Sequence, residues 1–300
     1  MIYKQLGTTD LNVSIIGLGT WQLCGEWGKK FTTDEVSEIL KTVESVGINL
    51  LDTAECYGNH LSESLMGSFI KRNRSNWILA TKFGHAYKGL LDVEDRWSST
   101  EVKQQLEDSL SALGTDYVDI YQFHSGDDKV FDNDELWGTL EKEKRMGKIR
   151  YLGISISEDL VLKGDLNQIY KAKKRGVDII QVRYNWLHRE AEKKLIPECA
   201  KLELAILARQ PLAYGYLSGK YDDRSQFPEN DVRHWLKRDN FSKEMNSIEE
   251  LRKRLGHSVD MAKWSVEWCL KNKNIGSVLV GCKTVEQVKN LTKEIHATSN

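Results

Sequence analysis

The chain has 300 residues, 40% of them hydrophobic and 29% charged, with a formal net charge of −1. That balance fits a globular protein and offers no field for a polyanion or a membrane surface, so neither nucleic acid nor membrane is expected as a partner. Five scattered cysteines, an odd number with no C-x-x-C pair, argue for reduced thiols rather than a disulfide framework or a zinc site.

No signal-peptide pattern is read in MIYKQLGTTD, and no apolar run approaches the roughly 18 residues of a membrane helix. A cytoplasmic protein is the expectation.

Residues 1–13 read as two short strands around Gly7-Thr8-Thr9-Asp10, a hairpin cap. Val13 to Gly17 reads as a first core strand, and 18–31 as a Gly- and Trp-containing loop. Thr33-Asp34 opens a helix with Val36, Ile39, Leu40 and Val43 at helical spacing, ended by Gly47. The second strand is INLL, running into Asp52. A helix follows over about 61–72, then a third strand from Trp77 to Lys82 and a loop over 84–98.

Ser99-Thr100-Glu101 caps the next helix. The fourth strand is Tyr117 to His124, with a helix over about 134–146 whose run Glu141-Lys142-Glu143-Lys144-Arg145 reads as a solvated face. The fifth is Ile149 to Ser155, with a helix to Arg175. The sixth is Val177 to Arg183, followed by a helix over about 189–202. The seventh is Leu204 to Ala208, followed by an irregular stretch, 210–242, and helices over about 243–255 and 259–271. Ile275 to Gly281 is the eighth strand, and a last helix starts at Thr284.

Eight apolar strands alternating with helices predict parallel βαβ units and a (β/α)8 TIM barrel with an N-terminal hairpin cap, one domain over 1–300. A doubly wound sheet would show G-x-G-x-x-G after its first strand. Here Gln22 stands where the third glycine belongs.

A barrel gathers its C-terminal strand ends into one mouth. Asp52, Lys82 and His124 end strands two, three and four, and Tyr57 lies in the loop beside them. Singly, each is read equally well as a core-edge or packing residue. Together they are the machinery for reducing an aldehyde or ketone, if something supplies hydride. Asp52 would orient Lys82, a neighbouring ammonium would lower the phenol pKa of Tyr57, and His124 would polarise the substrate oxygen. Cys56 is read as facing the core and unreactive, His85 as a loop histidine. Trp21, Trp27 and Trp186 are candidates for an apolar substrate wall, and Trp264 and Trp268 read as packing residues.

NLLDTAECYG, SESLMG, ATKFG and YVDIYQFH resemble the signature segments of the aldo-keto reductases, in the family's order. So do GLGTWQLCG, YLGISIS, IIQVRYN, PLAYGYLSGKY and VGCKTVEQV. The resemblance implies NADPH-dependent reduction of an aldehyde or ketone without a metal, hydride coming from nicotinamide C4 and the proton from Tyr57. It implies Asp52, Tyr57, Lys82 and His124 as the catalytic set, and Trp21, Tyr57 and His124 at the substrate. Gly19, Thr20, Trp21, Asp52, Ser155, Gln181, Arg209, Pro211 and Leu212 would meet the cofactor. Gly281, Cys282, Lys283, Thr284, Gln287 and Asn290 would form its phosphate and adenosine segment. Lys283 is the candidate for the 2′-phosphate that favours NADPH over NADH.

The chain departs from the family at Ile156, where most members have Asn to hold the nicotinamide amide with Ser155. It departs at Arg209, where many stack an aromatic ring, and at Leu291, which leaves Asn290 to replace the usual adenine contact. Two other functions use the same fold: a Schiff-base aldolase with Lys82 as nucleophile, and a cofactor-binding regulatory subunit such as the potassium-channel β subunits.

Overall fold

The computed structural model describes residues 1–236, 241–293 and 295. Eight parallel strands close into a barrel: β1 (Ile16–Gly19), β2 (Leu50–Asp52), β3 (Ile78–Phe83), β4 (Val118–His124), β5 (Ile149–Ser155), β6 (Val177–Arg183), β7 (Ala205–Arg209) and β8 (Ile275–Gly281). Each pairs with its successor in the chain, and β8 returns to β1 with Gly281 beside Gly19. This is the (β/α)8 architecture. The strands are apolar runs rather than alternating ones because helices cover one face and the barrel interior the other; all six residues of β3 are buried.

The first strand begins later than expected. Val13 pairs antiparallel with Lys4 in the hairpin Tyr3–Gln5/Asn12–Ser14, and the barrel strand starts at Ile16. The apolar run continues through Ile15, so composition does not show where the chain changes partner. The hairpin turn presses Leu6, Leu11 and Val13 into the barrel floor against Leu50, Ile78, Ile120, Ile179 and Leu207. Gly7 is required there: its φ is +59°, and a Cβ would sit 2.8 Å from the Ala205 Cβ.

The outer helices include Thr33–Ser45, Leu61–Ile70, Ser99–Leu113, Asp134–Arg145, Met261–Leu270 and Val285–Thr292. Two open with reciprocal capping boxes, Thr32 with Glu35 and Ser98 with Glu101, one residue before the sequence-based starts. On Asp134–Arg145 the charge run is not wholly solvated. Glu143 is buried, 3.3 Å from Lys148 Nζ.

Two expected elements differ. The helix to Arg175 is two short helices, Glu158–Lys163 and Asn167–Ala172, separated at the left-handed Gly164. The loop over 84–98 holds an antiparallel hairpin, His85–Gly89 with Asp92–Asp95, standing at the mouth. After β7, a 3-10 turn (Ala213–Ser218) and a short helix (Val232–Trp235) precede the helix Phe241–Leu255. Tyr216, Phe227, Phe241, Met245 and Ile248 give this region its own apolar cluster.

Candidate active site

The side chains of β2, β3 and β4 meet where the strands leave the core. Thr81 on β3 faces outward, donating to Glu63 at 2.6 Å, so its neighbour Lys82 faces inward. Lys82 is fully buried. Its Nζ donates to Asp52 Oδ1 at 2.8 Å and to the Thr53 carbonyl at 2.5 Å, and lies 3.5 Å from the Tyr57 hydroxyl. The other oxygen of Asp52 accepts from Gln181 Nε2 at 2.7 Å and Gln122 Nε2 at 3.0 Å, and Gln181 also donates to Gln122 Oε1. A buried carboxylate is tolerated because three donors, one of them cationic, meet its two oxygens.

Tyr57 stacks on Trp21, with ring centroids 5.8 Å apart and 17° between planes, and meets His124 edge to face at 6.4 Å. The four residues expected together are together. Tyr57, His124 and Asp52 line a cavity of about 640 Å³, while Lys82 lies behind Tyr57.

Protonation follows burial. The sequence reading expects Lys82 to lower the Tyr57 pKa; instead burial, reinforced by Asp52, pushes it well above the usual phenol value. Tyr57 is therefore a phenol at neutral pH. Burial pushes the His124 imidazole down to about 4, against the pull of Glu55, so its ring is neutral. For Glu55, burial raises the carboxyl pKa but His124 and His85 outweigh it, and the net direction is down. Glu55 Oε1 lies 4.0 Å from His124 Nδ1 and accepts from the His85 backbone N–H at 3.0 Å.

Cys56 does not simply face the core. Its Sγ reaches the cavity, 3.8 Å from His124 Nδ1, where burial raises its thiol pKa and keeps it unreactive. His85 also lines the cavity and contacts the His124 carbonyl at 2.7 Å through Nε2.

Of the expected cofactor residues, Gly19, Thr20, Trp21, Asp52, Ser155, Gln181, Arg209, Pro211, Leu212, Gly281, Lys283, Gln287 and Asn290 line the same cavity. Two do not. Cys282 turns inward among Ile16, Leu18 and Val288, and Thr284 caps the helix Val285–Thr292 by accepting from the Gln287 N–H at 3.1 Å. Lys283 Nζ donates to the Trp27 carbonyl, and its pKa is lowered by burial. Arg209 donates to Glu158 Oε1 at 3.2 Å and shares that carboxylate with Arg183. Trp21 and Trp27 form a wall, but Trp186 packs elsewhere, with the Arg254 guanidinium 6.0 Å from its ring. Trp268 packs as expected, 5.1 Å from the Tyr184 ring.

The cavity suits a nicotinamide dinucleotide. Arg209 Nε and Gln210 Oε1 are buried without a hydrogen-bond partner, and both residues line it. Lys283 and the N-terminus of an eight-residue helix offer positive ends for a phosphate. Glu55, Gln122 and Glu26 are absent from the sequence reading; the partners of Glu55 and Gln122 lie on other strands and loops, and Glu26 meets Trp21 only through the fold of their shared loop. The only local signals were that Glu55 stands in the signature string and Gln122 two residues before His124.

The aldo/keto reductase family model matches residues 15–298. The Bacillus subtilis uncharacterized oxidoreductase YqkF is 30% identical over 95% of this chain and 88% of its own length. The Escherichia coli NADH-specific methylglyoxal reductase is 30% identical over 95% of this chain and 90% of its own. Among solved structures, aldo-keto reductase AKR11C1 from Bacillus halodurans in its holo form aligns with a TM-score of 0.81 at 29% identity, covering all of this chain and 92% of that one. With a family match over nearly its whole length and likeness at both sequence and fold, the chain belongs to the aldo/keto reductase family of NAD(P)H-dependent oxidoreductases.

Proposed function

We propose that this protein reduces an aldehyde or ketone to the alcohol, with NADPH preferred over NADH and Tyr57 as the proton donor. The observation that carries the reading is the chain Asp52–Lys82–Tyr57 ending at the cavity beside a neutral His124. When bound, the reduced nicotinamide supplies the hydride. Ser155, Gln181 and Arg209 hold its ring end, and Lys283, Gln287 and Asn290 its phosphate and adenosine end.

As charge develops on the substrate oxygen, Tyr57 gives up its proton there, and the neutral imidazole of His124 offers a hydrogen bond to the same oxygen. Lys82, held by Asp52 and the Thr53 carbonyl, stabilises the phenolate that remains. The raised pKa of free Tyr57 keeps the proton in store until that charge appears. An aldolase role for Lys82 gains no support, because its amine is fully buried and already committed to two oxygens. The preference for NADPH rests on Lys283, a half-buried cation at the cavity.

The test pairs a binding titration with one variant. Tryptophan fluorescence, read through Trp21 and Trp27, should give NADPH at least about tenfold tighter than NADH, the scale of one phosphate contact. The reverse ranking would assign NADH, as the name of the Escherichia coli relative states for that enzyme. Methylglyoxal is the first substrate to try. Tyr57→Phe should retain cofactor affinity and lose ~100-fold or more in kcat, the usual scale of general-acid loss; unchanged turnover would remove Tyr57 from the mechanism.

A further inference from the structure

Glu26 stands on the cavity wall, nearly buried, and the proposed mechanism does not use it. Its Oε2 accepts from Trp21 Nε1 at 2.7 Å, and after burial Glu26 is the largest cause of the raised Tyr87 phenol pKa. Trp21 is the ring stacked on Tyr57, so this carboxylate lies one aromatic ring behind the proposed proton donor. Its main chain is fixed as well, with the Glu26 carbonyl accepting from the Val232 N–H at 2.8 Å.

Three other carboxylates around the mouth have cationic partners, while Asp260, also on the cavity, caps the helix Met261–Leu270. Asp52 has Lys82, Glu158 has Arg183 and Arg209, and Asp231 has Arg233. Among the described residues, no Lys, Arg or His forms an ion pair with Glu26. Trp21, Trp27, Tyr87, Leu91 and Val93 line the same cavity, as do Arg233 and Lys283, which lie over the Trp27 ring and make no ion pair with the Glu26 carboxylate. A negative charge among low-dielectric groups, with no cation beside it, repels a second one more strongly than it would in water. Selection of this kind works by exclusion: the wrong ligand is refused by an uncompensated like charge.

We propose that Glu26 makes this site selective for uncharged or cationic carbonyl compounds and turns away those bearing a carboxylate or phosphate. The inference rests on the carbonyl-reduction reading and names the substrate class for it. Hydroxylated aldehydes and ketones fit best, since a substrate hydroxyl can donate to the Glu26 oxygens.

The experiment uses three benzaldehydes of similar shape: 4-carboxybenzaldehyde, its methyl ester, and the 4-trimethylammonio compound. With reduced cofactor in excess near neutral pH, kcat/KM for the acid should fall about tenfold or more below the ester, with the cation at or above the ester. Glu26→Gln keeps an acceptor for Trp21 and should shrink the acid-to-ester gap to within about threefold. A gap near unity in the unmutated enzyme, a reversed order across the series, or a gap that Glu26→Gln leaves intact would overturn the proposal. Dividing each kcat/KM by the same compound's rate of reduction with borohydride removes the substituents' own effect on the carbonyl, so the corrected series in the unmutated enzyme decides even if the variant does not fold. Failure to reduce all three compounds would be a different result: it would sink the reduction reading itself, and this inference with it.

Discussion

His124 and Glu55 face each other under the mouth, and their titration ties the site to stability. The folded state holds the His124 pKa at about 4, while an unfolded chain would titrate near the reference of about 6.5. Between those values the unfolded state binds a proton that the folded state refuses, so stability falls as pH drops through that window. The shift corresponds to ~3 kcal/mol in all, of which ~2 kcal/mol is lost between pH 6.5 and 5. Glu55, with its folded pKa lowered, adds a loss in the same direction at lower pH. Urea unfolding at pH 7 and pH 5 should therefore show a smaller drop in His124→Gln than in the unmutated protein; equal drops would mean that His124 is not held neutral by burial. At this scale the sequence shows residues whose position on a strand end is their qualification: Asp52, Lys82 and His124. It does not show the net pKa of Tyr57, because burial and Asp52 act through space, nor Gln122, which reads as an ordinary strand residue until Asp52 is seen 3.0 Å away.

The element least legible beforehand is the hairpin His85–Gly89/Asp92–Asp95. HAYKGLLDVED alternates too weakly to read as a strand pair, and much of its surface is solvent-facing, so no buried face imposes a pattern. What holds it is packing at its base. Gly84 has φ +125°, and a Cβ there would meet Trp97 at 1.9 Å. Trp97 itself packs on Phe123 and His85, at 4.8 and 5.2 Å between centroids. Gly84→Ala should displace Trp97 and cost ~2–4 kcal/mol through combined backbone strain and overpacking. Thermal unfolding measures that cost; an unchanged midpoint would mean that the hairpin base has room to move. The capped helices, by contrast, are legible to within a residue. Their start signals, Thr32 with Glu35 and Ser98 with Glu101, are local hydrogen bonds encoded three positions apart.

For the whole molecule, alternation of apolar runs with helical spacing points to parallel strands covered on both faces, and Gln22 in place of the third glycine of G-x-G-x-x-G weighs for the barrel over a doubly wound sheet. The floor is a separate matter. The N-terminal hairpin supplies Leu6, wholly buried among residues of several strands, and so closes the end opposite the mouth. Leu6→Ala should leave a void at the barrel axis and cost ~2–5 kcal/mol in denaturant unfolding, with cofactor affinity retained because the mouth is untouched. Parallel loss of affinity would show that floor and mouth are one cooperative unit.

The closure of β8 on β1 also orders events during synthesis. The two strands pair in register from Val278 with Ile16 to Gly281 with Gly19, and just before them Ser277 Oγ donates to the Ser14 carbonyl, 263 positions back in the chain. A nascent chain emerging from the ribosome therefore carries Asp52, Tyr57, Lys82 and His124 long before it has Gly281 or Lys283. Until the eighth strand arrives, β1 presents an unpaired edge, and such long-range pairing is slow and open to mispairing. The residues proposed for proton transfer are translated early, and the nucleotide-facing strand that completes the ring comes last.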